Sequence, residues 1–460
     1  MQNQILPSRS GFPASLLLVT GLSLLTFAPA LAADYLIYVA PKDTPAFSAA
    51  EAKANGTSAF AERTLQNALD KAAQLLVPPG ANTATVLIAG GDYAGKAGLG
   101  MFTVPPIKNA QATLRITGGY ADDFATRQPF KKLTRLLTNE GRNQGILNLS
   151  KQSQLAELVI SGLLFDAAPS NKYDQKTNSL LKGSSRTVPL LTLELLMTDH
   201  LVIADNIFIN GAQGAFEPAI TPPSANTVVD ITNNFFINTI KTLQIGAGIG
   251  YKNNAVKEVN LRHNTFLLNW PFNPDATSSN VSAVTLYHKD GARQLNIEDN
   301  IFAFNPGGAM QHDWPNARMP GIALKRNLFF MNAALFGKGE KDAGVFAGKF
   351  GTNAKYLLPA LDTIADDFGY KVEGNVSLDP KIPVALLPLK AADSASVERK
   401  NTIMNDVNRL FGLNQDGGTV KIANYAPAMA FDVTALPTPA EDKAKPYGVQ
   451  LETSWSAKAP

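Results

Sequence analysis

The chain has 460 residues, of which 45% are hydrophobic and 17% charged, with Lys+Arg 41 against Asp+Glu 38 and no cysteine. This near balance argues against a nucleic-acid binder, which shows a clear basic excess. The lack of cysteine excludes disulfide staples and a lipid-modified N-terminal cysteine, so the core alone must hold the fold.

Residues 1–32 read as a secretory signal. Arg9 is their only charge, Pro13 to Phe27 is mostly apolar, and Ala30-Leu31-Ala32 is a small-residue cleavage site. No later stretch approaches the length of a membrane span. The expectation is a periplasmic or extracellular protein, and losing Arg9 leaves a net charge of about +2.

Tyr35 to Val39 reads as a strand. Thr64 to Leu76 has helical spacing, with Leu65, Ala68, Leu69, Ala72 and Leu76 on one face. Thr85 to Ala89 is a β-branched and apolar run. From Leu155 a phrase repeats: Asn206-Ile207-Phe208-Ile209-Asn210, Asn234 to Asn238, Asn264 to Asn269, Asn300 to Asn305 and Asn327 to Asn332, with a weaker copy at Asn375. The leading asparagines are 28, 30, 36, 27 and 48 residues apart.

Three short strands per unit of this size make one coil of a solenoid. Residues 33–385 are therefore expected to form an all-β parallel β-helix, with the Leu65–Leu76 segment as its N-terminal capping helix. The asparagines are expected at the bend between second and third strands, left-handed and stacked in a ladder. Phe208, Phe236, Phe266, Phe302 and Phe329 should stack inside.

Ser170 to Arg186, Pro306 to Pro320 and Gly337 to Tyr370 interrupt the rhythm, the last with a helix expected from Ala354 to Phe368. Residues 386–460 read as a C-terminal helix (Ala392 to Phe411) and an extended, Pro-rich tail.

The chain resembles secreted bacterial right-handed parallel β-helix proteins of the pectate-lyase-like superfamily. The resemblance rests on Tyr38-Val39, Gly56-Thr57, Leu65 to Leu69, Gly90 to Tyr93 and Asn375 to Pro380. Gly119-Tyr120, Phe124, Arg127 and Thr134 are similar to a motif in early coils of secreted β-helix proteins, including surface adhesins. The superfamily holds lyases, hydrolases and epimerases of acidic polysaccharides as well as non-enzymatic adhesins, and fold does not choose among them. In family members, sugar-processing sites lie on the outer face of the first sheet.

Counting back from the repeated asparagine locates candidates. Tyr251 and Tyr287 lie 13 residues before their markers; Glu194, Lys252 and His288 lie 12 before theirs. Equal offsets suggest that Tyr251 stacks on Tyr287 and Lys252 on His288. Lys289, Asp290 and Arg293 follow. Tyr, His, Lys and a carboxylate are the groups needed to remove a proton beside a uronate carboxylate and to neutralise the charge that develops. Tyr287, His288, His312 and Asp313 are the catalytic candidates. Glu194, Tyr251, Lys252, Lys289, Asp290, Arg293, Trp314 and Arg318 are the substrate-binding candidates, with Trp314 as a sugar platform. His200 and His263 read as turn or surface residues.

Arg318-Met319-Pro320 is similar to an Arg-X-Pro element of pectate lyases, but Ala323 stands where that element has a second arginine, and no Asp-rich calcium cluster is evident. The Asp-Pro-His element of alginate C5-epimerases is absent. No motif names a cofactor or a metal site, and a calcium ion stays open. The expected function is a secreted carbohydrate-active protein that binds an acidic polysaccharide and could cleave or epimerise it. The alternative is a non-enzymatic adhesive rod. No nucleic-acid partner and no membrane span are expected, and the chain is expected to be a monomer.

Overall fold

The computed structural model describes residues 32–95, 102–137, 145–149, 152–168, 173–174, 179–180, 189–193, 196–211, 214–217, 226–239, 242–245, 256–269, 282–286, 292–305, 308–312, 321–330, 332, 343–347, 355–357, 361, 363–382 and 436–452. The signal-like segment and the helix expected from Ala392 to Phe411 lie outside these residues.

Among the described residues, the coils build an 11-stranded sheet and two 9-stranded sheets in which each strand neighbours its equivalents in the coils before and after. The chain is a right-handed parallel β-helix. Within a coil, the first strand (Val284–Leu286, for example) belongs to one 9-stranded sheet. The second (Ala292–Glu298) belongs to the 11-stranded sheet, and the third (Ile301–Ala303) to the other 9-stranded sheet. These are called the first, second and third sheets below.

The corner between second and third strands is invariant. It is two residues long in every coil from Asp205-Asn206 to Gly374-Asn375. Asp205, Asn233, His263, Asp299 and Arg326 take the left-handed conformation there, with φ between 48 and 62°. The ladder asparagine is the next residue, so the expectation that it is itself left-handed is corrected. The bend falls on its predecessor, and the asparagine is needed for its amide. Asn206, Asn234, Asn264, Asn300 and Asn327 each send their backbone N–H and Nδ2 to the Oδ1 of the asparagine one coil on, at 2.9–3.1 Å. Asn269, Asn305 and Asn332 build a second ladder in the same way at the far end of the third strand.

Between the ladders, the middle residue of each third strand points inward. The rings of Phe165, Phe208, Phe236, Phe266, Phe302 and Phe329 stack with centroids 4.7–5.3 Å apart and planes within 4–8°. Phe165 extends the expected stack by one coil. Each ring is fully buried, a burial that stabilises by roughly 1.5–3 kcal/mol.

Helix α2 (Leu65–Leu76) closes the N-terminal end of the core with Leu65, Ala68, Leu69, Ala72, Ala73 and Leu76. Its N-cap Thr64 accepts from the Asn67 N–H. The sequence reading missed α1 (Pro45–Lys53), whose Ala46, Phe47 and Ala50 pack on Leu87, Tyr120 and Phe124. The C-terminal end is closed by Leu361 and by Ile364 and Phe368 of α3 (Thr363–Phe368). The helix expected from Ala354 is therefore shorter, because Lys355–Leu357 is a strand antiparallel to Ala343–Ala347.

The Gly119-Tyr120…Arg127…Thr134 motif is a structural staple. Gly119 has φ +85°, and a Cβ there would lie 2.5 Å from Pro129 Cα, so only glycine fits. Arg127 donates to the Gly118 carbonyl (3.0 Å) and to Ser161 Oγ, and pairs with the fully buried Asp205 carboxylate at 3.4 Å.

The outer face of the third sheet is apolar too. Ile207, Phe235, Leu267, Ile301, Leu328 and Phe330 form a second core with Ala444 and Val449. The extended tail is thus a strap, Leu436 to Glu452, laid back along the solenoid. It is bonded to the last coil through Ala440 N–H and the Pro380 carbonyl (3.1 Å) and reaches Lys131 through Glu452.

Candidate functional site

The connections from first to second strands differ in length: residues 193–196, 218–227, 246–255, 287–291 and 313–321. Glu194, Tyr251, Lys252, Tyr287, His288, Lys289, Asp290, Asp313, Trp314 and Arg318 all belong to these connections and lie outside the described residues. Arg293 is the second residue of the strand Ala292–Glu298, and His312 ends Met310–His312; only their backbones are described. The described strands that flank these connections stack in the first and second sheets.

The offset from the asparagine is not constant for the first strands. Leu243, 21 residues before Asn264, pairs with Val284, 16 before Asn300. Equal offsets from the asparagine therefore do not mark equivalent positions across this corner. The physical cause is the connection, ten residues long after Ile245 and five after Leu286. His312 stands in register with Leu286, a core residue. The row alternating with the core positions of the first sheet carries Thr103, Asn148, Thr192, Thr285 and Gln311, before Phe346 follows in register. Thr192 Oγ1 is buried there without a hydrogen-bond partner.

A second cluster, which sequence reasoning did not assemble, lies on the outer face of the second sheet beside the same corner. His200 stands in register with Glu157 and Val228. Its Nδ1 lies 3.1 Å from Glu157 Oε1 and its Nε2 2.8 Å from Asp230 Oδ2. Arg115 donates to Glu157 Oε2 from Nε (3.2 Å) and Nη2 (2.9 Å). Asn260 donates to Asp230 (2.8 Å), and Asn296 to Asn260 (2.7 Å) and Glu258 (3.0 Å). The signal for this cluster was present. His200, Glu258 and Gln294 are each six residues before their asparagine, and Asp230, Asn260 and Asn296 four before theirs. That count crosses only the invariant corner, so it is a true register.

The electrostatics follow from the geometry. The bonds to Asp230 and then Glu157 push the His200 pKa up to about 9, against its burial. The His200 bond, against burial, holds Glu157 below the usual carboxylate range, with Arg115 adding to it. Burial works to raise Asp230, but the bonds from His200 and Asn260 outweigh it and leave it lowered. At neutral pH the cluster is an imidazolium clamped between two carboxylates.

His200 is raised in the folded state, so its contribution is fully present below about pH 6.5 and is lost as pH rises towards its folded value. The carboxylates, being lowered, contribute above their ordinary range and lose that contribution in acid. The His200 ring protons, followed by NMR, are expected to titrate near pH 9, and in His200→Gln the alkaline loss of stability should disappear. Titration near 6.5 would show that the clamp does not form.

Among the described residues, no group of three His, Asp or Glu side chains is placed to hold a metal ion, and no helix is long and apolar enough to cross a membrane. Comparison with protein-family models, curated proteins and solved structures found no match.

Proposed function

We propose that the chain is an exported, carbohydrate-active β-helix protein of the pectate-lyase-like superfamily that binds an acidic polysaccharide, and that it acts at the corner between first and second sheets. The observation supporting this reading is the stacking of the described first and second strands on either side of the connections that carry these residues in the sequence. The described first strands end on the same side of successive coils, about 4.8 Å apart, in a sheet that carries the row of Thr285 and Gln311. Groups repeated along the axis suit a linear polymer.

In this reading Tyr287 or His288 exchanges the proton beside the uronate carboxylate, with His312 and Asp313 bordering them. Lys252, Lys289 and Arg318 hold carboxylates, and Trp314 stacks on a sugar ring. Elimination breaks the glycosidic C–O bond as the proton leaves; epimerisation returns a proton to the opposite face. The expected result on a panel of uronate polymers is binding, with unsaturated products or altered uronate stereochemistry. Tyr287→Phe and His288→Ala should lower turnover by about 100-fold or more in at least one case. No binding and no turnover across the panel overturns the proposal, whereas turnover intact in both variants moves the reaction elsewhere.

A second reading is a non-enzymatic surface or matrix rod. It is favoured by the mutual pairing of Arg115, Glu157, His200 and Asp230, which spends charged groups on one another.

A further inference from the structure

The sheets and the two asparagine ladders bond each coil to its immediate neighbours. A stack of this kind opens most easily one coil at a time from an end, because each step breaks one interface. The last coil is weakly held. Its strands Lys371–Glu373 and Val376–Ser377 are three and two residues long, and none of their residues is buried. Its ladder residue, Asn375, is partly exposed.

The strap runs across the coils. One anchor lies just after the last third strand, where the Ala440 and Glu441 N–H groups donate to the Pro380 carbonyl at 3.1 and 3.3 Å and Glu441 pairs with Lys381. Further along, Gly448 N–H donates to the Asp299 carbonyl at 2.7 Å, and Val449 N–H to Thr265 Oγ1 at 3.2 Å. Gln450 exchanges two bonds with the Asn233 amide: its N–H donates to Oδ1 at 2.7 Å and its carbonyl accepts from Nδ2 at 3.2 Å. Three consecutive strap residues thus reach three successive coils, in reverse order. The Gln450 side chain holds the strap's own bend by donating to the Lys445 and Gly448 carbonyls at 3.0 and 3.1 Å. Gly448 is seated tightly: its φ is +68°, and a Cβ would lie 2.6 Å from Thr265 Oγ1 and 2.7 Å from Ile301 Cδ1.

We propose that the strap is a clasp that ties the weak last coil to the middle of the solenoid, so that the coils from Asn233 to Pro380 open together instead of fraying from the C-terminal end. Ala444 and Val449 are buried in the second core, which also takes in Ile301 and Leu328 and has Val376 and Leu378, from the last coil, packed against it. Lifting the last coil alone strips Val376 and Leu378 from that shared core. Freeing the strap to follow it breaks bonds at three further coils and returns apolar surface of the third sheet to water. Either route costs more than the single interface an unclasped stack gives up. Once the strap is free, the coils beneath it have lost their common cover, so opening spreads. Partial opening is therefore disfavoured against opening of the whole clasped set.

The experiment is native-state hydrogen exchange of the full chain. It is read at the backbone N–H groups of Asn234, Asn264, Asn300 and Asn327, each bonded to the next coil, and at those of Gly448, Val449 and Gln450. In the natural chain these groups are expected to share one protection level, within about threefold, because one event exposes them all. Gly448→Val puts a β-branched residue at φ +68° and should free the strap without touching a ladder residue. Protection should then become graded, with Asn327 about tenfold or more below Asn234. Gly448→Ala, with the smaller side chain, gives the same comparison where Gly448→Val does not fold. A gradient already present in the natural chain, or uniform ladder protection in a variant whose strap N–H groups exchange freely, overturns the proposal. So does a strap that stays protected in both variants.

Discussion

Replacing Arg127 by alanine is expected to destabilise the protein by about 3–5 kcal/mol, read as a lower midpoint in urea at unchanged slope. The size comes from what is left behind. The Asp205 carboxylate has no solvent exposure, and the Arg127 guanidinium pairs with it at 3.4 Å. Asn233 Nδ2 at 2.7 Å and Ser161 Oγ at 3.4 Å still donate to Asp205, but neither an amide nor a hydroxyl neutralises a buried charge. The loss also reaches three strand ends together, because Arg127 ties Gly118 and Ser161 to the bend at Asp205. Arg127→Lys should recover only part of this, since one ammonium cannot reproduce the planar fork. A cost below about 1 kcal/mol would place the pair among weak surface bridges and remove its role as a staple.

The second large effect is expected at Asn264. Its Oδ1 accepts from the Asn234 backbone N–H and Nδ2, and its Nδ2 donates to Asn300 and to the Ile231 carbonyl. Alanine orphans the Asn234 backbone N–H in a site with no solvent exposure, while Asn234 Nδ2 loses one acceptor and keeps the Ile203 and Thr232 carbonyls. At about 1–3 kcal/mol for the orphaned N–H and about 1 kcal/mol for each of the other bonds lost, the expected cost is about 4 kcal/mol, less what relaxation recovers. Asn375 gives the internal comparison. It holds the same two donors, from Asn327, but lies partly exposed at the end of the ladder. Water can replace its oxygen there, so Asn375→Ala should cost clearly less. Equal losses at the two positions would show that the ladder's strength lies in its residues rather than in their burial.

The Asn-X-Phe phrase made the fold legible because two periodicities coincide in it. One is the alternation of a strand, which sends phenylalanine inward. The other is the coil repeat, which stacks like on like. The candidate site was legible only as a set of residues in and beside the connections between first and second strands. Counting from the asparagine works wherever the path crosses the invariant two-residue corner, as it does for His200, Asp230, Asn260 and Asn296. The offset changes for the first strands beyond the corner where five residues in one coil become ten in another, and Tyr251 and Tyr287, inside those connections, lie outside the described residues. The His200 cluster was missed for a different reason. Glu157, His200 and Asp230 are 43 and 30 residues apart in the chain, and only the register makes them neighbours. The strap was hidden because its partner surface is the outer side of a sheet whose inner side already accounted for the apolar residues.

The asparagine ladder also has a direction. In every rung the backbone N–H and Nδ2 belong to the earlier coil, and the oxygen they share belongs to the later one. A chain made from its N-terminus onward therefore always carries a leading edge of unmet donors, satisfied when the next coil arrives. Each new coil brings its oxygen to the edge already formed and presents fresh donors of its own. The solenoid is thus polarised like a filament with unlike ends, extending by addition at one of them, until Asn375 contributes the last oxygen.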